Sequence, residues 1–533
     1  MVQDVDRGGS VALADETARP RKYIVREAEW PTVYAQARSI LPEAFGEDGH
    51  VLNLVEGQWS YPGHGKHFFS PCDGTPLCTY PMLDLETAHK AVRFAAGEQE
   101  SWSAVDLDER RRRTGECVEQ LREHRELVAY LLVWEIGKPY NLALNSVDRC
   151  ISGVEWYIEE IGRMLQGRKP IGLISNIASW NYPLSVLVHA MLVQALAGNS
   201  VIAKTPTDGG LCALTLSLGI ARRCGLPVSL VSGSGGHLSE VLVRNDDIAC
   251  LAFVGGRTSG RDIAASLYDQ NKRYMLEMEG VNAYGIWNFS DWPALAKQIK
   301  KGFEYAKQRC TAYPRYVIQR QLFPEFLQMY LPLLSSLRIG HPLAVDDPDD
   351  APPSLEFGPL INSAAVEELQ VLYSEALGKG AVSIYEGTLD DSLFFPEQDT
   401  STYIAPAALL TVPRNCELYH KEPFGPIDTI VIVDRIEELI AEMNISNGNL
   451  VASIACDDPK ISQRLTGELR AFKVGVNQVR SRGDREEPFG GLGESWKGCF
   501  AGGEYLVQAV TAGRPDERLY GNFPEYTKLP EKR

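Results

Sequence analysis

The chain has 533 residues, 44% hydrophobic and 23% charged, which argues against global disorder and is too long for one ordinary core. A formal charge of −17 argues against nucleic acid or an anionic membrane surface as the main partner. Eleven cysteines without any C-x-x-C pair fit reduced thiols in a cytoplasmic protein and form no metal-ligand cluster, so no metal is expected.

Residues 1–21 are polar and of mixed charge, with no apolar core resembling a signal peptide, and read as a disordered lead-in. A helical pattern covers 106–133, and the run Arg110-Arg111-Arg112-Arg113 near its start is most simply a solvated face. From 171 to 279, short β-branched runs (171–177, 200–204, 228–232, 249–254, 274–278) alternate with helical segments (183–196, 210–224, 259–268). That alternation predicts parallel βαβ units in a doubly wound sheet, whose ligands sit at the carboxyl ends of the strands. The apolar stretch 184–203 contains His189, Gln194 and Asn199 and is interrupted by Gly198, so it reads as a buried helix and strand rather than a membrane span. Two glycine turns follow strands and open helices, Ser232-Gly233-Ser234-Gly235-Gly236 and Phe253-Val254-Gly255-Gly256. Either can receive a phosphate, although neither is a clean G-x-G-x-x-G. A further α/β segment at about 287–477 predicts a second domain.

Taken singly, the chemistry-bearing residues say little. Cys310 follows a helical segment and precedes a strand, Glu277 nears the end of a strand, Asn181 lies just after one and Lys204 ends another. A lone cysteine is usually core, and a lone glutamate is usually solvated or paired. Their joint order is more specific. Trp134-Glu135-Ile136-Gly137-Lys138-Pro139, Trp180-Asn181-Tyr182-Pro183, Lys204, Phe253-Val254-Gly255-Gly256, Leu276-Glu277-Met278-Glu279-Gly280, Gln308-Arg309-Cys310 and Glu422-Pro423-Phe424-Gly425-Pro426 stand in this order, followed by Pro488-Phe489-Gly490-Gly491. In these motifs, over about 52–506, the chain resembles the aldehyde dehydrogenase superfamily, of the type that does not acylate CoA.

The resemblance implies an α/β fold with a doubly wound parallel-sheet NAD(P)-binding domain (22–285) and a second α/β catalytic domain (286–480). Residues 481–533 then return to the cofactor domain and form a C-terminal oligomerisation arm. It implies oxidation of an aldehyde to the acid, with Cys310 forming a thiohemiacetal and then a thioester, and Glu277 as the base for hydrolysis. The Asn181 amide and the Cys310 N–H become the oxyanion donors. NAD or NADP is then held by Lys204, Thr207, Gly255, Gly256, Glu422 and Phe424, with Trp180 lining the crevice or serving as core. A CoA-acylating dehydrogenase and a non-catalytic scaffold of the same fold are the alternatives.

Several positions depart from the family pattern. Thr207 replaces the glutamate that would repel a 2′-phosphate, which admits NADP, while nearby Asp208 argues for NAD. Gly256 replaces a serine, and Arg257 either compensates or is simply solvated. Glu279 replaces a glycine and shares a face with Glu277 if the strand continues, or points elsewhere if the chain turns. Only 158–170 separates a helix from the next strand, so the family's oligomerisation hairpin is shortened. A homodimer is therefore expected in place of the usual tetramer. Arg309, Arg480, Arg482 and Arg485 either bind an acidic group on the aldehyde or lie in a solvated loop with Glu486 and Glu487 as partners.

Overall fold

The computed structural model describes residues 22–177, 179–268, 270, 272–446, 448–481 and 485–523. The expected lead-in at 1–21 and Arg482 lie outside the described residues.

Each β-branched run between 171 and 279 becomes a strand of one sheet. Five parallel strands lie in the order Arg273–Glu277, Ile248–Val254, Leu173–Ile177, Val201–Lys204, Val228–Val231. The first of these in the chain, Leu173–Ile177, lies in the middle. The next two strands extend the sheet to one side and the last two to the other, so strand order reverses beside Leu173–Ile177. In open α/β sheets that reversal opens a crevice at the carboxyl ends. Near-continuous burial of Leu173–Ile174, Val201–Lys204 and Val228–Val231 follows from helices covering both faces. The helical segment after Trp180 opens with a wide turn over Pro183–Val188 and continues as His189–Leu196. Among the described residues, no helix is long and apolar enough to cross a membrane.

The second sheet has seven strands, centred on the parallel set Ile427–Val433, Arg315–Gln319, Ala283–Ile286, Asn449–Ala455, Ala471–Val476. The chain then returns to the first sheet, where Trp496–Cys499 runs antiparallel beside Arg273–Glu277. Between the helix Tyr140–Met164 and the strand Leu173–Ile177 there is only the two-residue strand Lys169–Pro170, paired with Thr511–Ala512.

The arginine run near the start of the helix Leu107–Glu123 is not a plain solvated face. Arg110 donates to the Leu196 carbonyl at 3.0 Å, Arg111 to Ile158 at 3.0 Å and Arg113 to Gly225 at 3.1 Å. Arg112 stays on the helix surface with Glu109 and Glu116. Long stems reach carbonyls of neighbouring elements that helix periodicity cannot foresee.

Candidate active site

The carboxyl ends of the first sheet gather the residues singled out by sequence. Trp180 and Asn181 follow Leu173–Ile177, Lys204 ends its strand, Gly255 and Gly256 follow Ile248–Val254, and Glu277 ends Arg273–Glu277. Cys310, Glu422 and Phe424 instead precede strands of the second sheet, at its amino ends. Two contacts bridge the sets. The Asn181 Nδ2 donates to the Gln308 carbonyl at 2.9 Å, and the Trp180 and Phe424 rings meet edge to face with centroids 5.9 Å apart.

The turn carrying Cys310 is held from several sides. Asn282 Nδ2 donates to the carbonyls of Cys310 (2.7 Å) and Ala312 (2.9 Å), and its Oδ1 accepts from the Val451 N–H. The Gln308 side chain donates to the Pro359 carbonyl and accepts from the Ile361 N–H. Just before it, Tyr305, Ala306 and Lys307 take φ of 59°, 53° and 58°, a left-handed stretch unusual for non-glycine residues. Lys307 is anchored by a buried ion pair with Asp428, which also accepts from the Tyr330 hydroxyl at 2.7 Å. Cys310 itself is half-buried on the wall of a cavity of about 500 Å³ shared with Arg149, Tyr182, His189, Arg309 and Arg485. Glu277 is buried and lines a smaller, mostly apolar cavity; Val186 belongs to the walls of both.

Asn181 is fixed by three partners. Besides its bond to Gln308, its Oδ1 accepts from the Ser179 hydroxyl at 2.6 Å, and its carbonyl accepts from Lys138 Nζ at 2.8 Å. Lys138 sits between the rings of Tyr182 and Tyr305, 3.8 and 4.6 Å from their centroids. Burial pulls its ammonium well below the usual lysine range, with Arg149 and Arg309 adding to the effect.

On the cofactor side, burial lowers Lys204 to about 8, opposed by Asp208, and its Nζ donates to the Thr205 carbonyl at 2.8 Å. Thr207 is exposed, and its carbonyl accepts from Tyr80 (3.1 Å) and Lys66 (3.4 Å). A Cβ on Gly255 would lie 2.6 Å from the Phe253 ring and displace it, whereas one on Gly256 would meet nothing within 4 Å. Burial pushes the Glu422 carboxyl well above its usual range, and Glu279 adds to this. The Glu422 Oε1 is buried without a hydrogen-bond partner among the described residues. The strand ends at Glu277, and the Glu279 carboxylate accepts from the Arg257 N–H at 3.2 Å.

Of the loop arginines, Arg480 is tied to Glu487 at 2.6 Å, and Lys473 meets the same carboxylate. Arg309 donates to the Lys301 and Gly302 carbonyls. Sequence reading missed Asn282, Lys307, Arg149 and His189 at the site, and gave Lys138 no role. A usable signal existed for Asn282, an amide entering a fully buried strand, where an unpaired polar group is costly.

A sequence profile described as the aldehyde dehydrogenase family matches residues 62–513. The chain is similar to 3,6-anhydro-alpha-L-galactose dehydrogenase of Vibrio sp. (strain EJY3), at 26% identity over 489 residues, covering 88% of this chain and 98% of the relative. It is similar to a probable succinate-semialdehyde dehydrogenase (NADP(+)) of Sinorhizobium fredii, at 26% identity over 457 residues, with 82% and 90% covered. Among solved structures it is similar to an NADP-dependent glyceraldehyde-3-phosphate dehydrogenase from Bacillus halodurans C-125 complexed with NADP. That likeness has a TM-score of 0.78 and 25% identity, covering 87% of this chain and 98% of that one.

Proposed function

The chain belongs to the aldehyde dehydrogenase family, and we propose that it oxidises an aldehyde to the acid with NAD(P)+, using Cys310 as nucleophile and Glu277 as general base. The observation that carries this reading is the junction of the two sheets. Asn181, from the carboxyl edge of one sheet, is hydrogen-bonded to the turn that presents Cys310 to the large cavity.

The Cys310 thiolate adds to the carbonyl carbon and forms a thiohemiacetal. The developing oxyanion takes hydrogen bonds from Asn181, which the Ser179 and Lys138 contacts hold in place, and from the Cys310 N–H. When bound, NAD(P)+ supplies the hydride acceptor that turns the thiohemiacetal into a thioester. Glu277 then removes a proton from water as it attacks the thioester carbon, and the acid leaves with the Cys310 thiolate restored.

The residues at the sheet edge fit a dinucleotide. Glu422, whose buried Oε1 has no partner among the described residues, would hold a ribose hydroxyl, Lys204 would hold the other ribose, and the open space at Gly256 would admit the pyrophosphate. Trp180 and Phe424 form an aromatic wall beside them. Thr207 itself puts no carboxylate beside a 2′-phosphate, which admits NADP, while Asp208, close enough to act on Lys204, favours NAD. The short 165–170 link supports a homodimer.

An aldehyde panel with NAD+ and NADP+ tests the reading, and no nicotinamide reduction with any aldehyde would favour a scaffold. For Glu277→Gln, loss of the base is expected to lower steady-state turnover by about 10²–10³-fold while the first turnover persists, leaving acyl-enzyme visible by intact mass. A normal steady-state rate would remove Glu277 from the mechanism.

Arg149 and Arg485, both exposed, stand on the wall of the Cys310 cavity, while Glu487, the one carboxylate among its described wall residues, is paired with Lys473 and Arg480. This charge pattern suits an aldehyde bearing an anionic group. An exposed charge contact is worth about 1 kcal/mol, so Arg485→Ala is expected to raise KM for succinate semialdehyde about 5-fold and leave propanal unchanged. Equal shifts for the charged and neutral aldehydes would rule out the anion-binding role.

A further inference from the structure

This inference rests on the cofactor reading above. The Gly255-Gly256 turn leads into the helix Arg257–Ser266, whose N-cap, Gly256, offers no side chain to the first amides. That end of a helix attracts anions. In this chain an internal anion already sits there: Glu279 Oε1 accepts from the Arg257 N–H at 3.2 Å and lies 4.0 Å from the Arg257 Nε. The pairing is incomplete, because Arg257 Nε and Nη2 are buried without hydrogen-bond partners among the described residues. Glu279 also exerts the largest charge effect on the buried Glu422, whose Oε1 has no hydrogen-bond partner among the described residues. A Cβ at Gly256 would meet nothing within 4 Å, so the space in front of the first helix amides is open.

We infer that the Glu279 carboxylate is a built-in competitor for the cofactor pyrophosphate: it occupies the helix amide that the pyrophosphate requires and must swing away for cofactor to bind. Arg257 then turns its unused donors to the incoming phosphates, replacing a carboxylate it meets only at long range. Glu279 thereby sets cofactor affinity without touching the reacting atoms.

Isothermal titration of the full-length protein with ADP-ribose, which carries the pyrophosphate, and with adenosine, which does not, tests this. Both Glu279→Gly and Glu279→Gln are expected to tighten ADP-ribose about tenfold and leave adenosine unchanged. The glutamine variant separates charge from backbone freedom. Arg257→Gln is expected to weaken ADP-ribose about tenfold, again sparing adenosine. Unchanged or weaker ADP-ribose binding in both Glu279 variants overturns the inference, as do parallel shifts for the two ligands. If those variants fail in this way while the protein still reduces NAD(P)+ with an aldehyde, the proposed function stands and this inference alone falls. Absence of ADP-ribose binding in every form, wild type included, overturns both.

Discussion

Replacing Cys310 by alanine is expected to lower kcat/KM for aldehyde oxidation by at least about 10⁴-fold while leaving ADP-ribose binding intact. The size follows from chemistry. Without the sulfur there is no covalent tetrahedral carbon from which hydride can leave and no thioester for Glu277 to hydrolyse. The turn should survive the change, because it is held through backbone atoms: Asn282 grips the Cys310 carbonyl and Asn181 grips the Gln308 carbonyl. The side chain itself faces a cavity, so losing it leaves no sealed void. Nicotinamide reduction measured beside ligand titration separates a chemical defect from a folding defect. Wild-type activity in the alanine variant would sink the assignment of the nucleophile.

The second large effect is expected on stability. Lys307→Met removes one partner of a fully buried ion pair and leaves Asp428 with the Tyr330 hydroxyl alone. Stranding a buried charge costs about 3–5 kcal/mol, against about 0–1 kcal/mol for a surface pair. Lys307 Nζ also donates to the Tyr313 carbonyl at 3.0 Å and lies 4.1 Å from the centre of the Phe303 ring, so methionine can replace the stem but not the head. The same anchor restrains the left-handed stretch Tyr305 to Lys307, which would otherwise relax toward ordinary backbone and shift Cys310. Urea unfolding should place the single variant about 3–5 kcal/mol below wild type. Adding Asp428→Asn should recover about 2 kcal/mol relative to the sum of the single changes. A loss below about 1 kcal/mol in the single variant would mean that the pair is solvated in solution.

Motif order in the chain marked much of the candidate site. Glu277, Lys204 and Gly255 lie at strand ends, and strand ends are local events visible in a β-branched run meeting a glycine or a polar turn. The supports of the site were less visible. Lys307 and Asp428 are 121 residues apart, and Asn282 and Cys310 are 28 apart across a strand connection. Arg149 and His189 join Cys310 only because the helices that carry them pack against each other, with Gly153 leaving space for the His189 ring, 2.7 Å from where its Cβ would be. The Arg110 to Arg113 run was misread for the same reason: its acceptors are carbonyls of Leu196, Ile158 and Gly225, on other elements.

By itself the sequence determined the family, the alternating strands and helices of the first sheet and the order of the chemistry-bearing residues. The alternation depends on periodicity and turn chemistry within short windows, whereas the family rests on the resemblance of its ordered motifs. Only the tertiary structure decided what those residues touch. It set the Glu279 carboxylate on the Arg257 amide, bonded Asn181 to the nucleophile turn, and put the Lys307 charge beside Asp428. Such pairings exist only once distant segments return to one another, and their strength comes from the burial that this return creates.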